Sequence, residues 1–539
     1  MKKIFNKLLT GVLAGVCAFG AFGCSKLPDD VLGIQEEIDP NKTQLYLGLF
    51  NGALGREFMD KIIDEYEAAN PDIQVVVTFL KNEFEDGTLL VQMPNSGVDI
   101  YYLDTNTYSS FVDKNLLEDI TTTVTDKIYD NNGDLTNGTA TKSILDTMKP
   151  EWRNLFKTED NKYYAIPNWM STPGIIYDAD LFEENGYEVP ETYPDFVSLM
   201  DTMYSDGYTP FIFAGMDYIV LNSMYYFYAD YEGKNDFFLN STFKGTDSTL
   251  GEINYENAWK LQTQEGKKAS LQFAKDLASN STYVTSSTRS GGLSHIDAQG
   301  EFVRSINTVE SGKRRVAMLL ENSYWEREAK GTFDSMTMFD TEDQKYGFGE
   351  RNFKYMLAPK FIGVDGIDDT QNTSMHTVYG ATSNSFCCIN KASSNKDLAK
   401  DFMQFAQSRR ALALYTMYSG CLRAYDFTMT AAEYDLCTPF TQSLIDLTRR
   451  DDVEFVPMSK QNPITKMENT DFDYDWMFRT NAKSSDVAGG QYAVQGRSVY
   501  NLFYNNARLT VDEYYDGMET YWKNKWVALY EKLDSKYKN

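Results

Sequence analysis

The sequence predicts an α/β protein built on parallel strands, and three observations carry that prediction. Apolar strands alternate with amphipathic helical stretches from residue 43 to residue 111. Parallel strands need a crossover, usually helical, so this alternation is the pattern of a parallel sheet. The chain has 539 residues, 42% of them hydrophobic, which suggests two or three domains with ample core and excludes a disordered chain. Polar residues stand directly after the strands, where ligands sit in sheets of this kind.

The elements follow in order. "TQLYLGLFNG" (43–52) is an apolar strand that ends in Asn51-Gly52. "GREFMDKIIDEYEAANP" comes next, with Phe58, Ile62, Ile63 and Tyr66 at helical spacing and a stop at Asn70-Pro71. "IQVVVTF" (73–79) is a second strand, rich in β-branched residues. "GVDIYYLDTNTYSSF" (97–111) is a third, running into a polar loop at Asp104. Asn51 and Asp104 thus occupy strand carboxyl ends. "PETYPDF" starts a helix, with Thr192 as cap and Asp195 three residues later. "NKDLAKDFMQFA" sets Leu398, Phe402 and Phe405 on one helix face. Tyr177, Phe182 and Met318 are expected in the core. "DNNGDLTNG" (130–138) and residues 230–300 are expected insertions. The former lacks the spacing and closing Glu of a calcium loop and is expected to be a solvated turn.

At the N-terminus Lys2, Lys3 and Lys7 precede an apolar run from Leu8 to Phe22, about the length of a signal-peptide core. Gly23-Cys24 closes the run and resembles the lipobox of bacterial lipoproteins, which implies lipidation of Cys24. Residues 1–23 are then a lipoprotein signal peptide and 24–41 a flexible tether. A lipid anchor needs no second apolar span.

The net charge of -27 argues against a nucleic-acid or anionic-membrane binder, because the field of the protein repels phosphates. Cys387, Cys388, Cys421 and Cys437 show no C-x-x-C spacing and are expected to be buried free thiols. The only histidines are His295 and His376, so histidine triads and multi-histidine metal sites find little support. No metal site and no cofactor are expected.

Four segments carry a family resemblance. The first is the initial strand with "FMDKIIDEYEAANPDIQVVV" and "GVDIYYLD". The second is "YYAIPNWMSTPGIIYDADLFEENGYEVPETYPDF" (163–196), the third "FVRSINTVESGKRRVAMLLENSYW" (302–325), and the fourth "CCINKASSNKDLAKDFMQFAQS" (387–408). In this order they resemble the extracellular solute-binding proteins of ABC transporters, in the sugar-binding family that includes maltodextrin-binding proteins. Asp178 and Ala179 stand where that family usually has Asn-Lys, and Tyr193 where it has Trp.

The resemblance implies a two-lobed periplasmic-binding-protein-like fold with a hinged cleft. Lobe one is expected at 42–168 plus 382–430, and lobe two at 169–381 plus 431–539. It implies a monomer that captures a carbohydrate by hinge closure and passes it to the permease of an ABC transporter. Sugar faces need aromatic platforms, and sugar hydroxyls need carboxylates and amides. The candidates are Trp169, Trp325 and Tyr379 for the faces, and Asp104, Asn51, Glu321 and Arg423 for the hydroxyls. No nucleophile–base pair or phosphate loop is found, so an enzyme is not expected. The alternatives are a surface glycosidase, which needs only a suitable carboxylate pair, and a lipoprotein adhesin or sensor component on the same fold.

Overall fold

A computed structural model describes residues 37–50, 54–80, 87–104, 108–126, 142–215, 217–307, 313–369, 374–380, 385–458, 462–464, 476 and 499–538. The signal segment, Cys24, Asn51 and the "DNNGDLTNG" stretch lie outside the described residues.

The strands are β1 (Thr43–Phe50), β2 (Ile73–Leu80), β3 (Ile100–Asp104), β4 (Ala165–Pro167), β5 (Pro173–Asp178), β6 (Thr209–Ile212), β7 (Gly245–Asp247), β8 (Gly251–Ile253), β9 (Val316–Asn322), β10 (Phe353–Met356), β11 (His376–Tyr379), β12 (Ser385–Ile389) and β13 (Val453–Val456). The helices that matter below are α1 (Glu57–Ala69), α2 (Tyr193–Ser205), α3 (Asp217–Thr242), α4 (Glu265–Ser279), α5 (His295–Arg304), α6 (Trp325–Glu328), α7 (Lys396–Phe405), α8 (Arg409–Ser419), α9 (Pro439–Leu447) and α10 (Val511–Lys532).

The first lobe is built on a five-stranded sheet in the order β2-β1-β3-β12-β4. β1 runs parallel to β2 and β3, as the strand–helix alternation predicts, while β12 is antiparallel to both β3 and β4. The sheet is therefore mixed, because β12 enters from a distant part of the chain and needs no crossover helix to pair. Helix α1 buries Phe58, Ile62, Ile63 and Tyr66, the stripe seen in the sequence. Tyr66 packs edge-on to Phe402 of α7 at 5.0 Å, and Phe58 meets Tyr415 of α8 at 4.8 Å.

The second lobe has a four-stranded sheet, β10-β5-β9-β6, with only β6 and β9 parallel. Tyr177, Phe182 and Met318 are buried in it, as expected. Thr192 caps α2 by accepting a hydrogen bond from the Asp195 amide. Tyr193 stacks on Phe361 at 4.2 Å, and its hydroxyl donates to Asp276.

Residues 230–300 are not loose insertions. Helix α3 breaks at Gly233, whose φ of 74° and ψ of 165° suit a residue without Cβ. The β7–β8 hairpin packs on α3, and α4 packs on the C-terminal α10. Trp476 and Trp526 both abut Phe243 there, and the Trp526 indole donates to the Tyr255 carbonyl. Strand β11 pairs with β13 rather than with either large sheet. The chain passes from the first sheet to the second between β4 and β5 and returns at β12. It leaves again for α9, where Ser443 accepts from the Tyr355 amide of β10. All four cysteines named above are buried free thiols.

Candidate functional site

The first sheet brings its polar strand ends to one place. β1, β3 and β4 point the same way and end at Phe50, Asp104 and Pro167, while antiparallel β12 begins there with Ser385 opposite Asp104. A small cavity opens at this edge, lined by Phe50, Phe58, Asp104, Asn168, Trp169 and Ser385 among others. Asn168 is fixed by its amide, which donates to the Ser385 carbonyl at 3.1 Å. Trp169 is half-buried and lies against Tyr324 of the second lobe, with ring centroids 5.5 Å apart and planes inclined by 23°. The stack joins the first crossing, between β4 and β5, to the turn after β9.

Two further bonds tie the first crossing to the end of β9. Ser171 donates to Asn322 at 3.0 Å, and the Thr172 amide donates to the Ser323 hydroxyl at 3.1 Å. Beyond them Arg327 of α6 forms an ion pair with Glu57 at the start of α1. The stack and the two hydrogen bonds tie the first crossing to the end of β9, and the Arg327–Glu57 pair joins the two lobes. The cavity at the strand ends of the first sheet holds about 20 Å³, room for roughly one water molecule.

Of the residues chosen from sequence, Asp104 and Trp169 come together here. Trp325 does not. It is 0% exposed, and its ring sits among Phe302, Phe333, Phe353 and Phe440 at 5.2 to 5.9 Å. The reason is one residue of phase. Strand β9 ends at Asn322, the chain turns through Ser323, and Tyr324 faces Trp169 while Trp325 opens α6 and points inward. Tyr324 is the residue that sequence reasoning missed. Its signal was its place beside the family tryptophan.

Tyr379 is also a packing residue, buried between Tyr225 and Phe237 of α3 because β11 lies on that helix. Arg423 is buried and serves the crossing. Its guanidinium donates to the carbonyls of Asn168, Ala406 and Pro167 and lies over the rings of Tyr415 and Tyr425. Glu321 is 1% exposed, so it is not a cleft acceptor. It accepts from the Asn322 amide and from Gln299, and Gln299 also donates to Glu328 at 2.6 Å. Burial first, and then the nearby Glu328 charge, push its carboxyl up to about 7.

One carboxylate group outside the cleft has metal-like spacing. Glu232, Asp236 and Asp247 bring oxygens within 4.8 Å of one another. Protein donors already serve them: the amides of Gly266, Ser248, Thr249 and Leu250, and the side chain of Gln264. Burial pushes Glu232 up to about 8, so a proton on it removes much of the repulsion.

Two α/β lobes joined by repeated crossings, with a small cavity at the strand ends of the first, define a two-lobed α/β fold. Residues 52–291 match the family described as bacterial extracellular solute-binding protein. A multiple sugar-binding protein of Streptococcus mutans is 35% identical over 81 residues, a stretch that spans 15% of this chain and 19% of that relative. RafE from Streptococcus pneumoniae superposes with a TM-score of 0.54 at 15% identity, over 91% of this chain and 99% of that one. The maltotriose-binding protein of Thermus thermophilus, bound with maltotriose, superposes with a TM-score of 0.53 at 15% identity, over 89% and 99%. At such identities the superpositions show the fold. Among the described residues no helix is long and apolar enough to cross a membrane.

Proposed function

We propose that the protein is a lipid-anchored, extracytoplasmic receptor that captures a carbohydrate, with an oligosaccharide favoured, and hands it to an ABC transporter permease. The observation that carries this reading is the Trp169–Tyr324 pair beside Asp104 at the mouth of the strand ends. Two flat rings at the crossing between the lobes suit the faces of a sugar, and a carboxylate suits its hydroxyls. The sugars named for the relatives support the ligand class.

Capture works by hinge motion. The lobes are residues 42–168 with 382–430 and residues 169–381 with 431–539. A cavity with room for one water cannot admit a sugar ring, so the lobes part for entry and close on the ligand. Closure is favoured because the ligand touches both lobes at once. The closed face is what a permease reads. No bond in the sugar is broken in this scheme, and the receptor acts as a monomer.

The test is a thermal-shift screen against mono- and oligosaccharides, followed by chromatography after long incubation. The expected result is a raised melting temperature with one sugar class and unchanged sugar. Shortened glycans would overturn the reading in favour of a glycosidase. The anchor has its own test: Cys24→Ala should move the protein from the detergent phase to the aqueous phase, and retention in detergent would refute lipidation.

A further inference from the structure

A second cavity, of about 480 Å³, lies away from the cleft and shares none of its lining residues with it. It is formed by residues 142–149, 404–412, 422–429 and 445–449, beside the crossings. Its volume falls in the range of small-ligand pockets.

Two buried polar groups line it. Gln407 is 5% exposed, and neither its amide nitrogen nor its amide oxygen has a hydrogen-bond partner. A buried amide with both ends unmet is costly, and native proteins rarely keep one without a use. Arg423 is 3% exposed, and its three hydrogen bonds all go to backbone carbonyls, one of them that of Ala406, next to Gln407. Among the described residues no carboxylate forms a salt bridge with it. The other inner cations are already paired: Arg409 with Glu433 at 2.7 Å, Lys149 with Asp426 at 2.7 Å, and Arg449 with Asp446 at 3.1 Å. Lys142 and Asp126 also line it, one charge of each sign. The cavity therefore carries one unbalanced positive charge beside an unmet donor and an unmet acceptor.

We infer that this cavity is a second ligand site, for a small hydroxy-carboxylate. A carboxylate would balance Arg423, whose fork geometry suits it, and would accept from the Gln407 amide nitrogen. A hydroxyl of the same ligand would donate to the Gln407 amide oxygen. A simple acid leaves that oxygen unmet, and a neutral polyol leaves Arg423 without a counter-charge. The site does not depend on what the cleft binds.

The experiment is calorimetric titration of the mature protein with gluconate, glucuronate and lactate, with acetate and glucitol as probes that lack one feature each. At least one hydroxy acid should give saturable heat, with acetate and glucitol weaker by about tenfold or more. Gln407→Glu places a carboxylate beside Arg423, so it should abolish that binding and raise the melting temperature. Gln407→Leu, which removes both polar ends without adding charge, is the second variant and should weaken binding by about tenfold or more. The inference fails if no hydroxy acid binds at millimolar concentration. It also fails if glucitol binds as well as gluconate, if both Gln407 variants bind as the wild type does, or if binding is lost in Trp169→Ala but kept in Gln407→Glu.

Discussion

At the scale of single residues the cleft turns on which aromatic ring faces the gap. Trp169 and Tyr324 meet at the crossing between the lobes, while Trp325 is enclosed by four phenylalanines. Trp169→Ala or Tyr324→Ala should therefore weaken sugar binding by about tenfold or more with a small change in melting temperature. Trp325→Ala should instead cost about 3–5 kcal/mol of stability, because it empties a packed core site. Calorimetric affinity and melting curves on the three variants separate the roles; a strong affinity loss confined to Trp325→Ala would reverse the assignment. Sequence could point to the neighbourhood, since the strand "VAMLLEN" is plain from its apolar run. It could not fix the phase after the strand, because a single turn residue decides which of two adjacent aromatics turns inward. Arg423 was misread for a related reason. Three backbone carbonyls hold it, and carbonyls leave no trace in residue type.

At the scale of elements the clearest case is the end of β5. Asp178, standing where the family usually has asparagine, is not a sign of altered ligand choice. It is 1% exposed, caps the following helix, and takes hydrogen bonds from Arg315 at 2.7 and 3.1 Å and from Arg351 at 2.6 Å. Arg351 is 4% exposed and arrives from the loop before β10, which pairs with β5. One carboxylate thus serves two buried guanidiniums, of which Arg315 also pairs with Glu184 at 2.7 Å, and Asp178→Asn should cost about 3–5 kcal/mol, read by urea melts. A cost below about 1 kcal/mol would mean that water reaches the arginines. Along β9, Glu321 sets a pH dependence. Its proton is held more tightly folded than unfolded, with a carboxyl pushed from 4.5 up to about 7. Its contribution is complete below pH 4.5 and fades as pH rises through 7. The groups facing it are Gln299 and, through it, Glu328, which lies 3.5 Å from His295. Glu321→Gln should flatten the decline in melting temperature between about pH 5 and pH 8. The flattening will be partial, since burial also pushes Glu326 up to about 7. An unchanged pH profile would show that Glu321 is ionised throughout. Element types were legible where the apolar period was clean, as in α1 and β1 to β3. The packing of residues 230–300 was not, because its partner α10 lies more than two hundred residues further on.

At the scale of the molecule the question is what holds the lobes together before a ligand does. Charged pairs that bridge them include Lys234–Glu151, Lys536–Glu159 and, at the start of α1, Arg327–Glu57, which is partly open to water, with Glu57 48% exposed. Such a pair contributes about 0.2–1 kcal/mol and is weakened by salt. That is too little to lock the cleft and enough to bias it, by a factor of about five at most. Glu57→Gln removes the charge and keeps the shape of the helix start. The variant should spend more time open, with a larger radius of gyration in X-ray scattering, and should bind its sugar about two- to fivefold more weakly through that lost closed fraction. Wild-type protein in about 1 M salt should behave in the same way, since the Debye length there is only about 3 Å. Saturating sugar should return both to the same compact radius, because the ligand's own contacts then supply the closing energy. An affinity loss beyond about tenfold would mean that Glu57 touches the sugar itself, and no change in radius would mean that the other pairs between the lobes, Lys234–Glu151 and Lys536–Glu159, carry the closed state without it.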